Sequence, residues 1–382
     1  MSDGSDLERL LGPDRRSFRR PHGMALVVAL IATAILVGLL VLRPGDPPPI
    51  ARDFFGFVDD VVAANVESVE ASPCSFSADL DCHTVVFSDG TLTHSQEFPD
   101  ETGQPGFNVG DPVYLSAVEG EDGTLGLTYH DRNRGPLLGM VAFVFAAAVV
   151  FLGRLRGLAA LGGLAVSIAI LIWFIVPAIT AGRDAVLVAL AGGGAIVLIS
   201  LYLAHGYTPL THIAAVGAFA ALALTTALSR FVVEAARFTG LADEEAFYLL
   251  SLPDIDLSGL LLAGIVLGAI GALDDVTVTQ ASAVWEVNRA NPNLEQQELF
   301  DAGLRVGRDH ISSTVNTLLL AYAGAAMPLL ILYSLSGIAL GVVASSEVLA
   351  VEIVRTLVGS IGLVAAVPVT TWLAARQLAR KT

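Results

Sequence analysis

The sequence predicts a polytopic α-helical membrane protein of about eight transmembrane helices with a small extracytoplasmic β-rich domain. Three observations carry that expectation. Of 382 residues, 54% are hydrophobic and 15% charged, with a mean hydropathy of +0.68, where a soluble domain has about 25% charged residues. Apolar runs of roughly 20 residues, the length that crosses a bilayer core, recur along most of the chain. The acidity is concentrated: residues 43–134 hold 17 Asp and Glu against 4 Arg, while the whole chain carries a net charge of −16 and has Lys381 as its only lysine. That balance argues against nucleic acid or an anionic lipid surface as a partner.

Residues 1–23 read as a cytoplasmic tail with the basic cluster Arg15, Arg16, Arg19 and Arg20. Met24–Leu42 is too long for a typical signal-peptide core and lacks a small-x-small cleavage site, so it reads as a first span that leaves the basic flank inside. Residues 43–134 then lie outside. After the proline-rich linker Gly45–Pro49, strand-type runs at Val61–Val69, Cys82–Phe87, Thr91–Phe98, Val113–Val118 and Leu125–His130 alternate with turns such as Ser88-Asp89-Gly90 and Asn108–Pro112. Five short strands suggest a small β-barrel, OB-like in kind. Cys74 and Cys82 both fall here; in an oxidising compartment they form a disulfide, in a reducing one a pair of free thiols. His83, His94 and His130 among the carboxylates are read as a solvated acidic surface in preference to a cation site.

Residues 135–376 form a seven-helix block. Its spans are read at Leu137–Gly153, Gly157–Ile179, Ala185–Ala204, Ile213–Leu228, a helix within Ile255–Asn288, Ile311–Leu335 and Val348–Ala375. Phe231–Pro253 reads as an interfacial helix, and Leu294–Val306 as an amphipathic cytoplasmic one. Both termini fall inside, with 377–382 as a short tail, and 13 of the 21 Lys and Arg lie on the assigned cytoplasmic segments. The setting this implies is a bacterial plasma membrane.

The chemistry concentrates in IDLSGLLLAGIVLGAIGALDDVTVTQASAVWEVN, Ile255–Asn288, which carries the adjacent carboxylates Asp274 and Asp275. Leu257–Asp275 as a helix covers ~27 Å of a ~30 Å core. The pair therefore caps a helix at the membrane boundary, or, if the weakly polar run Val276–Trp285 continues the helix, sits within the membrane. Charges there are kept where they bind an ion or relay protons. Two adjacent carboxylates withdrawn from water favour sharing one proton over two full charges. Thr277 and Gln280 on the same run, with Asn316 and Thr317 on the next, are the candidate polar partners, because an Asn in an apolar run must find a hydrogen bond. Gly264, Gly268 and Gly271 share one strip and suit close helix packing. Arg308-Asp309-His310 starts the next span as its charged flank. His205 and His212 flank a short loop, too sparse for a metal site. No Walker motif, nucleophile elbow, HExxH or CxxC is present, so the sequence offers no enzyme machinery, no cofactor and no metal.

The words GALDDVTVTQASAVWEV (Gly271–Val287) and GLRVGRDHISSTVNTLLLAYAGAAMPLLIL (Gly303–Leu332) resemble the YibE/F-like family of bacterial membrane proteins. The resemblance covers most of the chain and implies one span, an external domain and a polytopic block; it brings no established activity. A more distant likeness links GLLLAGIVLGAIGALDDVTVTQASAVWEVNR and the last span, IVRTLVGSIGLVAAVPVTTWLAA with Pro368, to the fourth and sixth helices of the transport block of resistance–nodulation–division permeases. That likeness implies proton uptake and release at Asp274 and Asp275. The chain departs from those pumps in having no lysine within a span, one transport block instead of two, and a small external domain, so a pump would need a homodimer or another membrane protein as partner. Two functions follow as expectations: a proton-coupled secondary transporter or export subunit, and a non-transport assembly protein that presents an acidic external domain.

Overall fold

In the computed structural model the described residues are 22–45, 61–75, 80–90, 93–100, 103, 105–119, 125–242, 244–250 and 255–379. The basic cluster Arg15–Arg20, residues 46–49 of the linker, Asp243, Arg380 and Lys381 lie outside them. The chain divides into two units, Pro49–Leu152, and Met1–Pro48 with Gly153–Thr382.

The smaller unit contains one antiparallel sheet: β1 (Val61–Pro73), β2 (Asp81–Ser88), β3 (Thr93–Pro99), β4 (Pro112–Glu119) and β5 (Leu125–Arg132), in the order β3-β2-β1-β4-β5. Alternation decides the register: Ala64 and Val66 of β1, Val85 and Phe87 of β2, and Val113 and Leu115 of β4 all turn inward and are buried. Phe87, Phe98, Phe107 and Tyr129 pack on one another over this core, Phe107 and Tyr129 edge to face at 5.1 Å, Phe98 and Phe107 tilted at 4.7 Å, and Phe87 and Tyr129 stacked at 6.0 Å between centroids. A bulge in β1 between Val66 and Ser68 adds curvature. The sheet curls far enough for the side-chain Oε1 of Gln96 on β3 to accept from the Tyr129 N–H on β5 at 2.8 Å. Cys74 and Cys82 are joined by a disulfide, which ties the end of β1 to β2.

Helix α1 (His22–Val41) belongs to the larger unit. Helix α2 (Gly135–Ile170) is interrupted at Arg154, whose φ of 51° leaves the helical region. A one-turn wide-helix segment, Leu171–Ile175, joins it to α3 (Val176–Thr180). Then come α4 (Ala185–His205), α5 (Pro209–Ala236), α6 (Glu244–Leu249), α7 (Leu257–Ala290), α8 (Gln296–Ala325), α9 (Met327–Leu335), α10 (Leu340–Ser345) and α11 (Glu347–Leu378).

Six helices among the described residues are long and apolar enough to cross a membrane: Gly23–Val41, Gly135–Thr180, Ala185–His205, Pro209–Ala236, Leu257–Ala290 and Glu347–Leu378. There are seven if α8 and α9, bent by 65° at Ala326, are one span. At 46 residues Gly135–Thr180 would be ~69 Å long if straight. That is more than twice the bilayer core, and Arg154 marks where it breaks.

Sequence signals explain the ends. Asp184 caps α4 by accepting from the Leu187 N–H at 2.8 Å, and Thr208 caps α5, with Pro209 at the first helical position. Glu295 and Glu298 form a capping box at the start of α8. Two expectations are corrected. The interfacial helix at Phe231–Pro253 is absent as a separate element: nothing in 229–236 breaks a helix, Arg230 and Glu234 pair at 2.8 Å along it, and α5 runs on until Arg237 turns left-handed at φ 54°. Only the short α6 follows. The amphipathic segment and the span after it are likewise one helix, α8, because Arg308-Asp309-His310 contains no breaker; the bend falls instead at Ala326, with Pro328 in the first turn of the helix that follows.

Helix α7 is the centre of the larger unit, packed against α4, α5, α8 and α11. Small residues make this possible. A Cβ on Gly217 of α5 would lie 2.3 Å from Thr370 Oγ1 of α11, and one on Gly362 of α11 would lie 2.0 Å from Thr225 Oγ1 of α5. These two contacts, eight residues apart on each helix, lock the antiparallel pair that flanks α7. Gly240, at φ 78°, lets the loop after α5 pass over α7, since a Cβ there would meet the Leu257 carbonyl at 2.3 Å. Glu347, first in α11, accepts from the backbone N–H groups of Thr239 and Gly240 and fastens that loop.

Candidate functional site

The helix that carries the carboxylates does not stop at them. Leu257–Ala290 is continuous, and Asp274 is its eighteenth residue of 34, with ~25 Å of helix on either side. Asp274 is half-buried and Asp275 exposed, as a step of about 100° between neighbours on a helix requires.

Asp274 faces α4. A Cβ on Gly193 of α4 would come within 2.2 Å of Ile270 Cδ1, so the two helices approach closely there. Two turns further along the same face of α4 is Ser200, and one turn along α7 is Asp274. Ser200 Oγ donates to Asp274 Oδ2 at 2.9 Å and also lies 3.2 Å from the Val197 carbonyl, so one hydroxyl proton serves two acceptors. Asp274 Oδ1 is buried without any hydrogen-bond partner among the described residues. A carboxylate oxygen in that position is costly unless a proton, an ion or water joins it.

A groove of about 520 Å³ opens on this side chain. Gly163 and Ser167 of α2, Ser200 and His205 of α4, and Gly271 and Asp274 of α7 line it, with aliphatic side chains between them. It is large enough for water or a small ion, and the Asp274 side chain forms part of its wall. A larger cavity, about 900 Å³, lies between the ends of α1, α8 and α11 at Glu295 and Arg376, remote from the pair in sequence and lined by neither aspartate.

The sequence-derived partners go elsewhere. Thr277 Oγ1 donates to the Asp274 backbone carbonyl at 3.1 Å and not to the carboxylate. Gln280, buried, donates through Nε2 to the Gly303 carbonyl at 2.9 Å and to Thr371 Oγ1 at 2.7 Å, which ties α7 to α8 and α11. Asn316 and Thr317 are exposed on α8, and Thr317 bonds back to the Ser313 carbonyl of its own helix. The physical reason is rotation: α8 meets α7 through Tyr322, whose hydroxyl lies 2.7 Å from where a Gly268 Cβ would be, and through Gly303 and Gly307 beside Gln280, so Asn316 and Thr317 are turned away. The partner missed from the sequence is Ser200. The rule applied to Asn316 would have found it, because Ser200 and Tyr202 are the only hydroxyls in Ala185–Ala204.

In the sheet unit, Ser75 donates from its N–H and from Oγ to Glu97 Oε2, at 2.9 and 2.6 Å, and these bonds hold the Glu97 carboxyl below its ordinary value. Among the described residues no three His, Cys, Asp or Glu side chains come together as metal ligands.

A family model of YibE/F-like proteins matches residues 141–380, the polytopic part of the chain without the sheet. No curated protein and no solved structure matches. With well over half its length matched, and with the long apolar helices that Gly271–Val287 and Gly303–Leu332 helped to anticipate, the chain belongs to the YibE/F-like proteins.

Proposed function

We propose that this protein is a proton-coupled secondary transporter or export subunit, not an enzyme, and that Asp274 and Asp275 are its coupling carboxylates. The observation that supports this most is Asp274 itself, mid-helix in the wall of a groove, with its Oδ1 buried and without a partner among the described residues. Groups of this kind within a membrane helix take up and release protons or bind ions. Asp275, one position on, faces away and is the group a homodimer or another membrane protein would cover. The topology that fits has eight spans, counting Gly135–Thr180 as two divided at Arg154 and the bent pair as one. Both termini then lie in the cytoplasm of a bacterial plasma membrane, with the sheet as an external OB-like barrel.

The test is infrared difference spectroscopy of the purified protein in lipid nanodiscs, taken between mildly alkaline and mildly acidic buffer. A protonated-carboxyl band lost in Asp274→Asn, with expression intact, is the expected result. Its absence refutes the proposal.

A second reading is favoured by the sheet unit, which has its own aromatic core and disulfide: a membrane-anchored assembly protein that presents an acidic surface. Under it, deletion of residues 50–130 abolishes the cellular phenotype while Asp274→Asn and Asp275→Asn are silent.

A further inference from the structure

The groove at Asp274 is not the only cavity on that flank. A second, of about 270 Å³, is lined by Arg156 of α2, His205 at the last position of α4, Thr208, Thr211 of α5, and Val278 and Trp285 of α7. His205 lines both. Helix geometry orders them: His205 is five residues, ~7.5 Å, beyond Ser200, and Val278 is one turn beyond Asp274 with Trp285 two turns further. The two cavities follow one another toward the C-terminal end of α7, and His205 stands between them.

The two histidines of this turn differ in what holds them. His212 is buried; its Nδ1 lies 2.8 Å from the Tyr202 hydroxyl, and the Tyr207 ring meets it edge-on at 4.5 Å. His205 is exposed and its side chain makes no hydrogen bond among the described residues. The charged groups around it are Arg156 across the second cavity and Asp274 across the groove. Tyr202, Tyr207 and His212 are engaged with one another.

We infer that His205 is the second proton-carrying group of this site, passing protons between the cavity at Arg156 and Thr208 and the carboxylate of Asp274. The inference rests on the proton-coupled reading above. An imidazole suits the task because it accepts at one ring nitrogen while it donates from the other. A hydronium in the second cavity gives its proton to the free ring nitrogen. The opposite nitrogen then releases its own proton through water in the groove to Asp274, which becomes a neutral carboxyl, and the ring is left neutral. The reverse sequence empties the site. Loading thus moves one proton from hydronium to Asp274, leaving water and a neutral ring, and no other reactant is needed.

The experiment is time-resolved infrared spectroscopy of the full chain in nanodiscs after photorelease of a caged proton, following the carboxyl band that Asp274→Asn identifies. His205→Gln should leave that band present at equilibrium and slow its appearance on the order of a hundredfold, the contribution of a well-placed proton carrier. Imidazole added to the buffer should restore the rate. An unchanged rate in His205→Gln overturns the inference and leaves the coupling role of Asp274 standing. A slow rate that imidazole does not restore also overturns it, because the loss is then one of shape. Absence of an Asp274-dependent band in the wild type refutes the coupling role itself, a result distinct from the other two.

Discussion

Substituting Gly362 by Ala tests the frame that holds α7. The added Cβ would stand 2.0 Å from Thr225 Oγ1, where ordinary contact begins at 3.4 Å, so ~1.4 Å must be found. Thr225 is fully buried, and its hydroxyl donates to the Ala221 carbonyl at 2.9 Å, so it cannot turn aside without losing that bond and bringing its methyl into the same space. Forcing a methyl into such a site costs about 1–3 kcal/mol, and the strain should put Gly362→Ala in the upper half of that range. Removing the obstacle changes the sign. In Thr225→Ala the nearest remaining atom is the residue 225 Cβ at 3.3 Å, which needs a shift of tenths of an ångström, and alanine is favoured over glycine in a helix by up to about 1 kcal/mol. Gly362→Ala should therefore be close to neutral, or stabilising, in the Thr225→Ala background, for a coupling of about 1–3 kcal/mol. Reversible unfolding in bicelles of the wild type, both single variants and the double variant closes the cycle. Additive single effects would refute the proposed α5–α11 contact.

Further outcomes follow from the site and from the sheet. Ser200→Ala removes the only side-chain donor to the Asp274 carboxylate among the described residues and should cost about 1–3 kcal/mol; it should shift the Asp274 carboxyl band in the infrared, whereas Thr277→Val, whose hydroxyl bonds the backbone carbonyl, should not. Gln280→Leu gives up two hydrogen bonds between helices and should destabilise the larger unit by about 1–2 kcal/mol in the same bicelle assay. Replacing Cys74 and Cys82 by Ala opens a short loop and should lower the stability of the sheet by about 2.5 kcal/mol on the chain-entropy estimate, read from loss of the aromatic near-ultraviolet signal of the Phe87 cluster on heating. Glu97, held below its ordinary value by Ser75, contributes stability that is complete above the usual carboxylate range and is lost as the pH falls through it. A melting-temperature series on the full chain should decline on acidification less steeply for Glu97→Gln than for the wild type.

Much of this architecture follows from local chemistry. Alternating Val and aromatic residues with turn signals at Ser88-Asp89-Gly90 and Asn108–Pro112 were enough to place all five strands to within a few residues. Apolar runs were enough to show that long helices exist between residues 185 and 375, but not where they begin, which Thr208 and Glu295 set by satisfying the first exposed N–H groups. What local chemistry does not encode is rotation about a helix axis. Gln280 and Asn316 look alike as isolated polar residues, yet Gln280 bridges three helices and Asn316 faces outward, a difference set by which glycines let which helix approach. Ser200 could be singled out as one of two hydroxyls in its span, but that it meets Asp274 depends on Gly193 bringing α4 onto Ile270. The extension of α5 past Arg230 escaped a hydropathy argument because charge ends a span without ending a helix.

The curl of the sheet has a consequence of its own. A flat antiparallel sheet offers two rows of unused amides to any extended peptide, and such edges invite aggregation or strand exchange. Here the Gln96 side chain takes the Tyr129 amide that an incoming strand would claim, and Thr128 Oγ1 donates to the same oxygen at 3.3 Å. The β5 margin is thereby partly sealed, so a peptide seeking to extend the ladder there meets an amide already engaged.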